Sequence, residues 1–207
     1  ITTTLTWEKV RNWNVGFDFG FLNNRLTGSF DYYTRYTLDM MGSAPELPSI
    51  LGYTAPKTNN TDLKTRGWEF EIGWQDVRKN GFSYGAKFLL SDAMTYVTRY
   101  PSNTTNSIDQ YIAGQPLGQI WGYTTIGIAQ TNAEMEAHLD QLDENFFNTY
   151  GYFPSTMRDG QSALGSGWAA GDIMYADLNG DGRVSAGDRT LDNHGDLKVI
   201  GNSTPRF

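Results

Sequence analysis

The chain has 207 residues, and its 16 Lys and Arg against 23 Asp and Glu give a formal net charge of −7 at pH 7. The sequence pI near 4.7 argues against nucleic-acid binding, because no basic surplus is available to neutralise phosphates. With no cysteine, disulfides and thiolate zinc sites are excluded. No apolar run is long enough for a membrane-spanning helix, whereas a spanning β-strand needs only every second residue to be apolar.

Four segments of the first half alternate apolar and polar residues, which is typical of β-strands with one apolar face. The first segment has its apolar residues at Trp13, Val15, Phe17, Phe19 and Phe21. The others are residues 26–36, 67–74 and 82–91. The Asn23-Asn24 pair tolerates left-handed backbone geometry, so we expect a tight hairpin turn between the first two.

The connections between these segments alternate in length. Residues 23–24 and 76–81 are short, whereas residues 37–66 and 100–119 are long. Short turns at one end, long loops at the other and aromatic residues near the strand ends are typical of outer-membrane β-barrels. A soluble β-sandwich shows the same alternation and stays as an alternative. Large aromatics along the apolar faces, and charges and glycines on the polar faces, favour the barrel.

The second half contains one more strand pattern, at residues 119–128, and then a helical one. Thr131 is a good N-cap, and Glu134 follows it at the capping-box spacing. The apolar residues of the helix recur at helical spacing at Met135, Leu139, Leu142 and Phe146. Residues 150–171, rich in Gly, Ser and Ala, are expected to be irregular loop.

One motif indicates metal chemistry. Residues 177–188 read DLNGDGRVSAGD, the spacing of a calcium loop with Asp in place of the usual Glu at its last position. Calcium takes six to eight oxygen ligands, and the glycine at position 6 allows the sharp turn that they require. The predicted ligands of a structural Ca²⁺ are Asp177, Asn179, Asp181, the Arg183 carbonyl, Ser185 and Asp188. An ordinary Asx-turn is the alternative.

Catalysis is not supported by the sequence. Glu69 and Glu71 lie two apart on one strand face, as a hydrolase carboxylate pair would, but charges lining a wet lumen explain them better. Neither His138 nor His194 belongs to a nucleophile or metal motif. We therefore expect the chain not to be an enzyme.

The chain contains five long motifs: WEKVRNWNVGFDFGFLNNRLTGSFDYYTRYTLDM (7–40), GWEFEIGW (67–74), GQPLGQIWGYTTIGIAQT (114–131), GDIMYADLNGDGRVSAGD (171–188) and GDLKVIGNSTPRF (195–207). Together they resemble the SusC/RagA family of TonB-linked outer-membrane transporters. The resemblance runs the length of the chain. It implies an all-β fold, in which this chain is a segment of a large antiparallel transmembrane β-barrel with long extracellular loops and one short loop helix.

The resemblance also implies strand and loop boundaries and binding partners. We expect strands at 10–37, 66–98 and 119–129, extracellular loops at 38–66, 99–118 and 130–207, and no plug domain in the chain. The implied location is the outer membrane of a Gram-negative cell, in contact with its lipid. The implied activity is import of oligosaccharides or peptides, driven by TonB through the missing plug and assisted by a SusD-like surface lipoprotein. No nucleic-acid partner is expected.

Aromatic side chains in the expected loops are candidate ligand contacts, because their faces can stack on sugar rings. The candidates are Tyr53, Trp121, Tyr123 and Trp168. Packing beneath the loops is the alternative for each. A secreted or surface calcium-stabilised glycan-binding or adhesin module stays as the competing function for the whole chain, and an extracellular glycoside hydrolase fragment as a more distant one.

Overall fold

The computed structural model describes residues 5–42 and 57–204, and these contain eight strands and one helix. In chain order they are β1 (Lys9–Phe21), β2 (Leu26–Gly42), β3 (Thr58–Val77), β4 (Ser83–Arg99), β5 (Gln119–Tyr123), β6 (Thr125–Ile128), α1 (Asn132–Tyr150), β7 (Ile173–Tyr175) and β8 (Leu197–Asn202). The chain divides into two compact units. Unit 1 comprises residues up to 104, 111–118 and those from 204, and unit 2 comprises 105–110 and 119–203. Within the described ranges, no helix is both long and apolar enough to cross a membrane.

Unit 1 is an antiparallel sheet in the order β1-β2-β3-β4. Because directly opposite residues share a face, the register builds rows of side chains across the sheet. On one face, hereafter the apolar face, four successive rows are Phe21–Leu26–Trp74–Ala86, Phe19–Gly28–Ile72–Phe88, Phe17–Phe30–Phe70–Leu90 and Val15–Tyr32–Trp68–Asp92. The alternation predicted for these segments is therefore confirmed, and it is in register across all four strands.

The opposite face, hereafter the polar face, carries glycines and side chains with hydroxyl or charged groups. Two of its rows are Gly16–Asp31–Glu69–Ser91 and Asp18–Ser29–Glu71–Leu89. Aromatic rings cover glycines on both faces. Phe19 lies over Gly28, and Tyr33 lies over Gly67, so closely that a Cβ at either glycine would collide with the ring. Such cross-strand coverage helps to fix the register of a sheet.

The observed strands differ from the predicted boundaries. β2 runs on to Gly42 and β3 starts at Thr58, so both enter the stretch predicted as loop 38–66. The strand predicted at 119–129 is divided at Thr124 into β5 and β6, and β8 forms within the predicted loop 130–207, pairing with β5. The hairpin turn is as predicted, with positive φ at Leu22, Asn23 and Asn24.

Unit 2 is organised around α1. Its predicted apolar stripe is confirmed, because Met135, Leu139 and Leu142 are buried and pack in one cluster with Ala129, Met174 and Val184. Two short sheets, β5-β8 and β6-β7, complete the unit. The core also contains polar groups. Gln161 is fully buried, and its Oε1 accepts the Tyr175 amide at 2.6 Å and pairs with His138 Nε2 at 2.9 Å.

The predicted N-cap of α1 is confirmed. Thr131 has extended backbone geometry, and its hydroxyl accepts the Glu134 amide at 3.2 Å. The Glu134 carboxylate reaches back to accept the Gln130 amide at 2.7 Å, one residue before the usual capping-box donor. At the other end Gly151, in the left-handed conformation, donates to the Phe147 carbonyl.

We expect Thr131→Ala to destabilise α1 by about 1 kcal/mol, because it leaves the Glu134 amide without its acceptor. Hydrogen exchange of residues 132–150 in the parent protein measures this loss. Thr131→Ser keeps the hydroxyl and is the matched control. Equal exchange in the Ala and Ser variants would contradict the assigned cap.

Candidate functional site

The segment 177–188, hereafter the DNG loop, is folded by side-chain oxygens that accept its own amides. The Asp177 carboxylate accepts the amides of Gly180 at 2.7 Å and Gly182 at 2.9 Å. Asn179 Oδ1 accepts the Asp181 amide at 2.9 Å, and Asp181 Oδ1 accepts the Arg183 amide at 2.7 Å. These Asx turns hold the side chains of positions 1, 3 and 5 against the amides of the loop, and Asn179 Nδ2 also donates to Asp181 Oδ2 at 3.0 Å.

A buried carboxylate joins the two ends of the DNG loop. Asp196 is fully buried, and it accepts the amides of Leu178 at 2.6 Å, Asn179 at 3.3 Å and Ser185 at 2.8 Å. Burial raises the pKa of the Asp196 carboxyl, and the three amide hydrogen bonds oppose that rise. The sequence analysis did not select Asp196, because its contacts are long-range and no spacing rule connects it with the loop.

The DNG loop also packs on α1. Asn145 donates to Asp177 Oδ2 at 3.0 Å, and the Thr149 hydroxyl donates to the Gly180 carbonyl at 3.0 Å. Gly182, with φ +76°, is so close to the helix that a Cβ would overlap the Leu142 carbonyl oxygen and the Phe146 amide nitrogen. The Arg183 guanidinium lies 5.0 Å from the Phe146 ring centroid. The loop conformation and the helix position therefore depend on each other.

The predicted ligands are not equally placed. Asp177, Asn179 and Asp181 all take part in the hydrogen bonds of the loop. Asp188 is exposed and accepts a hydrogen bond from the Asn193 side-chain amide at 2.8 Å. Among residues 5–42 and 57–204, no three His, Asp or Glu side chains come together as metal ligands. A calcium ion at this loop would therefore also need Asn179, hydroxyl and backbone oxygens. The calcium site stays a prediction.

The predicted aromatic contacts are half-buried rather than exposed. Tyr123 and Trp168 pack against the core of unit 2, and burial raises the pKa of the Tyr123 hydroxyl. Trp121 packs on His194, with ring centroids 5.3 Å apart. Tyr53 lies outside the described residues. The role of all four in ligand binding stays a prediction.

A second set of aromatics, which the sequence analysis did not select, is exposed at the carboxyl end of α1. Its most exposed members are Tyr150, Tyr152 and Phe153, and Phe147 stacks on Phe153 with centroids 4.6 Å apart. The aromatic density of residues 146–153 was the available signal. Their side chains form one apolar surface that continues from the helix into the following loop.

The polar face of unit 1 carries the two glutamates considered for catalysis. The Glu71 carboxylate forms an ion pair with Lys87 at 2.6 Å, and Glu69 lies opposite Asp31. These are charges on a hydrated sheet surface. The apolar face is instead exposed hydrocarbon, with Phe17 at 60% and Phe88 at 56% of full exposure. So large an aromatic surface, in rows across four long antiparallel strands, defines the wall of a membrane β-barrel, in which lipid covers that face.

Comparison with known proteins also indicates a membrane β-barrel. The family described as "TonB dependent receptor-like, beta-barrel" matches residues 1–196, and the chain belongs to it. The sheet of unit 1 is therefore a part of a barrel wall, and the barrel is not closed by this chain alone. Membership confirms the outer-membrane location, and confirms that the chain is not an enzyme, since the family consists of transport proteins.

The chain is similar to several curated receptors. It is 27% identical to TonB-dependent receptor P3 of Formosa agariphila, over 98% of this chain and 18% of that protein. It is also 27% identical to the TonB-dependent receptor SusC of Bacteroides thetaiotaomicron, over 90% of this chain and 17% of that protein. The chain thus spans about a fifth of the length of these relatives. A solved RagAB peptide importer in its "open-open" state aligns with 61% of this chain and 14% of its own, at 25% identity and a TM-score of 0.49.

We expect Gly182→Ala to destabilise unit 2 strongly. A left-handed alanine costs about 1 kcal/mol, and overlap with the α1 backbone adds about 1–3 kcal/mol. Gly180→Ala is the matched control, because Gly180 has the same φ of +76° and a Cβ added there would have nothing within 4 Å. Limited proteolysis of the parent protein over a temperature series compares the two. Equal melting of both variants would contradict the assigned loop–helix contact.

Proposed function

We propose that this chain is a part of an outer-membrane, TonB-dependent importer and contributes four wall strands and an ordered extracellular region. The exposed apolar face of unit 1 carries the proposal. Over its 13 residues β1 covers about 40 Å along its axis, or about 30 Å along the membrane normal at a tilt near 40°, enough to cross an apolar band about 25 Å tall. Family membership supplies the link to TonB.

The sidedness follows from the connections. The turns after β1 and β3 take only a few residues, whereas β2 and β4 are followed by long segments. Outer-membrane barrels place their short turns in the periplasm and their long loops outside the cell. Residues 43–57 and 100–204 therefore belong to the extracellular side in this proposal.

The finer function rests on the resemblance to SusC/RagA proteins. We propose an oligosaccharide or peptide as the ligand, a SusD-like lipoprotein as the surface partner, and TonB acting through a plug domain. Trp121, Tyr123 and Trp168 would contribute to ligand capture by their exposed edges. Alanine substitution of each should lower uptake, and unchanged uptake would remove that residue from the ligand contacts.

The membrane assignment is tested by placing a charge on each face of the sheet in turn. Phe30 lies at the centre of the apolar face, and Ser29 is its neighbour on the polar face. We expect Phe30→Arg in the parent protein to cost about 2–4 kcal/mol of barrel stability, because the charge enters hydrocarbon. Ser29→Arg should cost little, since it faces water beside Glu71.

The measurement is the fraction of parent protein in the outer membrane that shows a heat-dependent shift in gel mobility. Loss of the shift in Phe30→Arg alone agrees with a lipid-facing Phe30. Equal behaviour of both variants would exclude that face assignment. Secretion of the wild type as a soluble protein without any shift would instead favour the adhesin.

We also propose that the DNG loop binds a structural Ca²⁺. Its support is the calcium-loop spacing of the sequence together with the set of Asx turns, which order Asp177, Asn179 and Asp181 within one short loop. The ion would supply two positive charges between two carboxylates that otherwise repel each other. It would thereby order a long loop and, through Gly182 and Asn145, hold α1 in place.

We expect calorimetry of the parent protein to detect calcium binding that Asp181→Asn weakens at least about tenfold. The asparagine keeps a side-chain oxygen for the Arg183 amide and removes only the charge. Asp192→Asn, in an exposed turn outside the loop, is the control for net charge. A wild type that produces no heat with calcium would refute the site.

A further inference from the structure

Three cations lie together on the apolar face of unit 1, in the two rows beyond that of Trp68, which also contain Trp13, Tyr36 and Tyr96. Arg66 lies one row beyond Trp68, and Lys64 lies one row further. Arg11 shares the row of Lys64, since both are opposite Tyr36. Arg11, Lys64 and Arg66 are named the basic cluster. It stands out in a chain whose net charge is −7.

The basic cluster has no acidic partner among the described residues. No ion pair joins any of its members to an acid in the part of the chain that the structure describes. Two carboxylates at the same end of the sheet serve other bases: Asp39 pairs with Lys9 at 3.1 Å, and Asp62 with Arg99 at 2.7 Å. Asp92, opposite Trp68 on the nearest aromatic row, offsets only one of the three charges. A net positive patch therefore faces outward.

Part of the basic cluster lines a concave site. A groove of about 300 Å³ is bounded by Lys64, Arg66 and Tyr96, together with the backbone around Gly114. The Gly114 amide donates to the Val97 carbonyl at 2.7 Å, so this wall of the groove is held to the edge of β4. Lys64 also lies 5.0 Å from the Tyr36 ring centroid. Two cations and a phenol beside a pocket form a suitable site for an anionic group such as phosphate.

The depth of the basic cluster matches the membrane surface. Phe70 is in the middle row of the apolar face, and Lys64 is six residues from it along β3. Six residues cover about 20 Å along a strand, or about 15 Å along the membrane normal at a tilt near 40°. Half of an apolar band about 25 Å tall is about 12 Å. Lys64 would therefore lie at the level of lipid headgroups. Arg66, four residues from Phe70, would lie about 10 Å along the normal, just inside the band, where its long side chain can reach the headgroups.

The geometry points to a lipid site: the basic cluster binds the phosphate of an anionic lipid headgroup in the outer leaflet. The inference rests on the proposed barrel function, because it needs the apolar face to lie against lipid and the long connections to lie outside the cell. The acyl chains of that lipid would then pack on the aromatic rows below. Charge complementarity and this continuous apolar surface favour a lipid over a free anion.

The test uses the parent protein, delipidated in dodecylmaltoside and titrated with dioleoyl phosphatidylglycerol by native mass spectrometry. Each cation near an anionic lipid surface contributes enough affinity that the double variant Lys64→Gln/Arg66→Gln should bind about thirtyfold more weakly. Arg35→Gln is the matched control. Arg35 lies between the same two rows but on the polar face, where it donates to Asn12 at 3.2 Å.

Every outcome bears on the inference. Weaker binding in the double variant alone supports it, and unchanged binding in that variant overturns it. Equal binding of dioleoyl phosphatidylcholine by the wild type excludes an anionic headgroup site, and displacement by equimolar inorganic phosphate shows a free-anion site instead. The heat-dependent gel shift is recorded for each variant. A wild type without the shift refutes the barrel itself, whereas a shifted double variant that keeps its lipid refutes only the headgroup site.

Discussion

The structure depends first on register. A slip of one residue between β2 and β3 would move every aromatic of one strand to the polar face, because side chains alternate with a period of two. The pairing of Phe30 with Phe70 and of Tyr32 with Trp68 aligns the apolar rows. The Phe19 ring packs over Gly28 and the Tyr33 ring over Gly67, and this packing fits only the observed register. The continuous apolar face and the position of the basic cluster on it both follow from that alignment.

The strands of unit 1 could be predicted from the sequence, because the alternation of apolar and polar residues is a local property. The positions where these strands end could not be predicted. β2 continues to Gly42 and β3 begins at Thr58, where the alternation is interrupted by β-bulges near Thr37 and Met40. An irregular ladder breaks the period-two signal while the pairing continues. Likewise β8 was missed, because a strand of six residues gains its stability from β5, nearly eighty residues earlier in the chain.

The DNG loop was likewise predictable only in part. Its Asx turns arise from residues two to five apart. The spacing predicted a calcium site there and left an Asx-turn as the alternative. The clamp by Asp196 and the contact of Gly182 with α1 are tertiary, and no local pattern encodes them. Unit 2 has a small apolar core with Gln161, Asp143 and Asp196 inside it. Buried polar side chains need specific hydrogen-bond partners. They therefore exclude alternative packings that an apolar core would tolerate.

The pairing of Gln119 with Asn202 has a consequence for evolution. The chain enters and leaves this ladder at neighbouring points, so the 73 residues between Tyr123 and Leu197 are closed at their base by five cross-strand pairs. The span also bonds to residues before Gln119, since Arg189 and Leu191 pair with residues 106–109. Changes elsewhere in the span leave the pairing of β1 to β4 in their own sheet intact. The span between Tyr123 and Leu197 is therefore a loop insertion closed at its base, which can vary in length and sequence while its anchoring ladder stays the same.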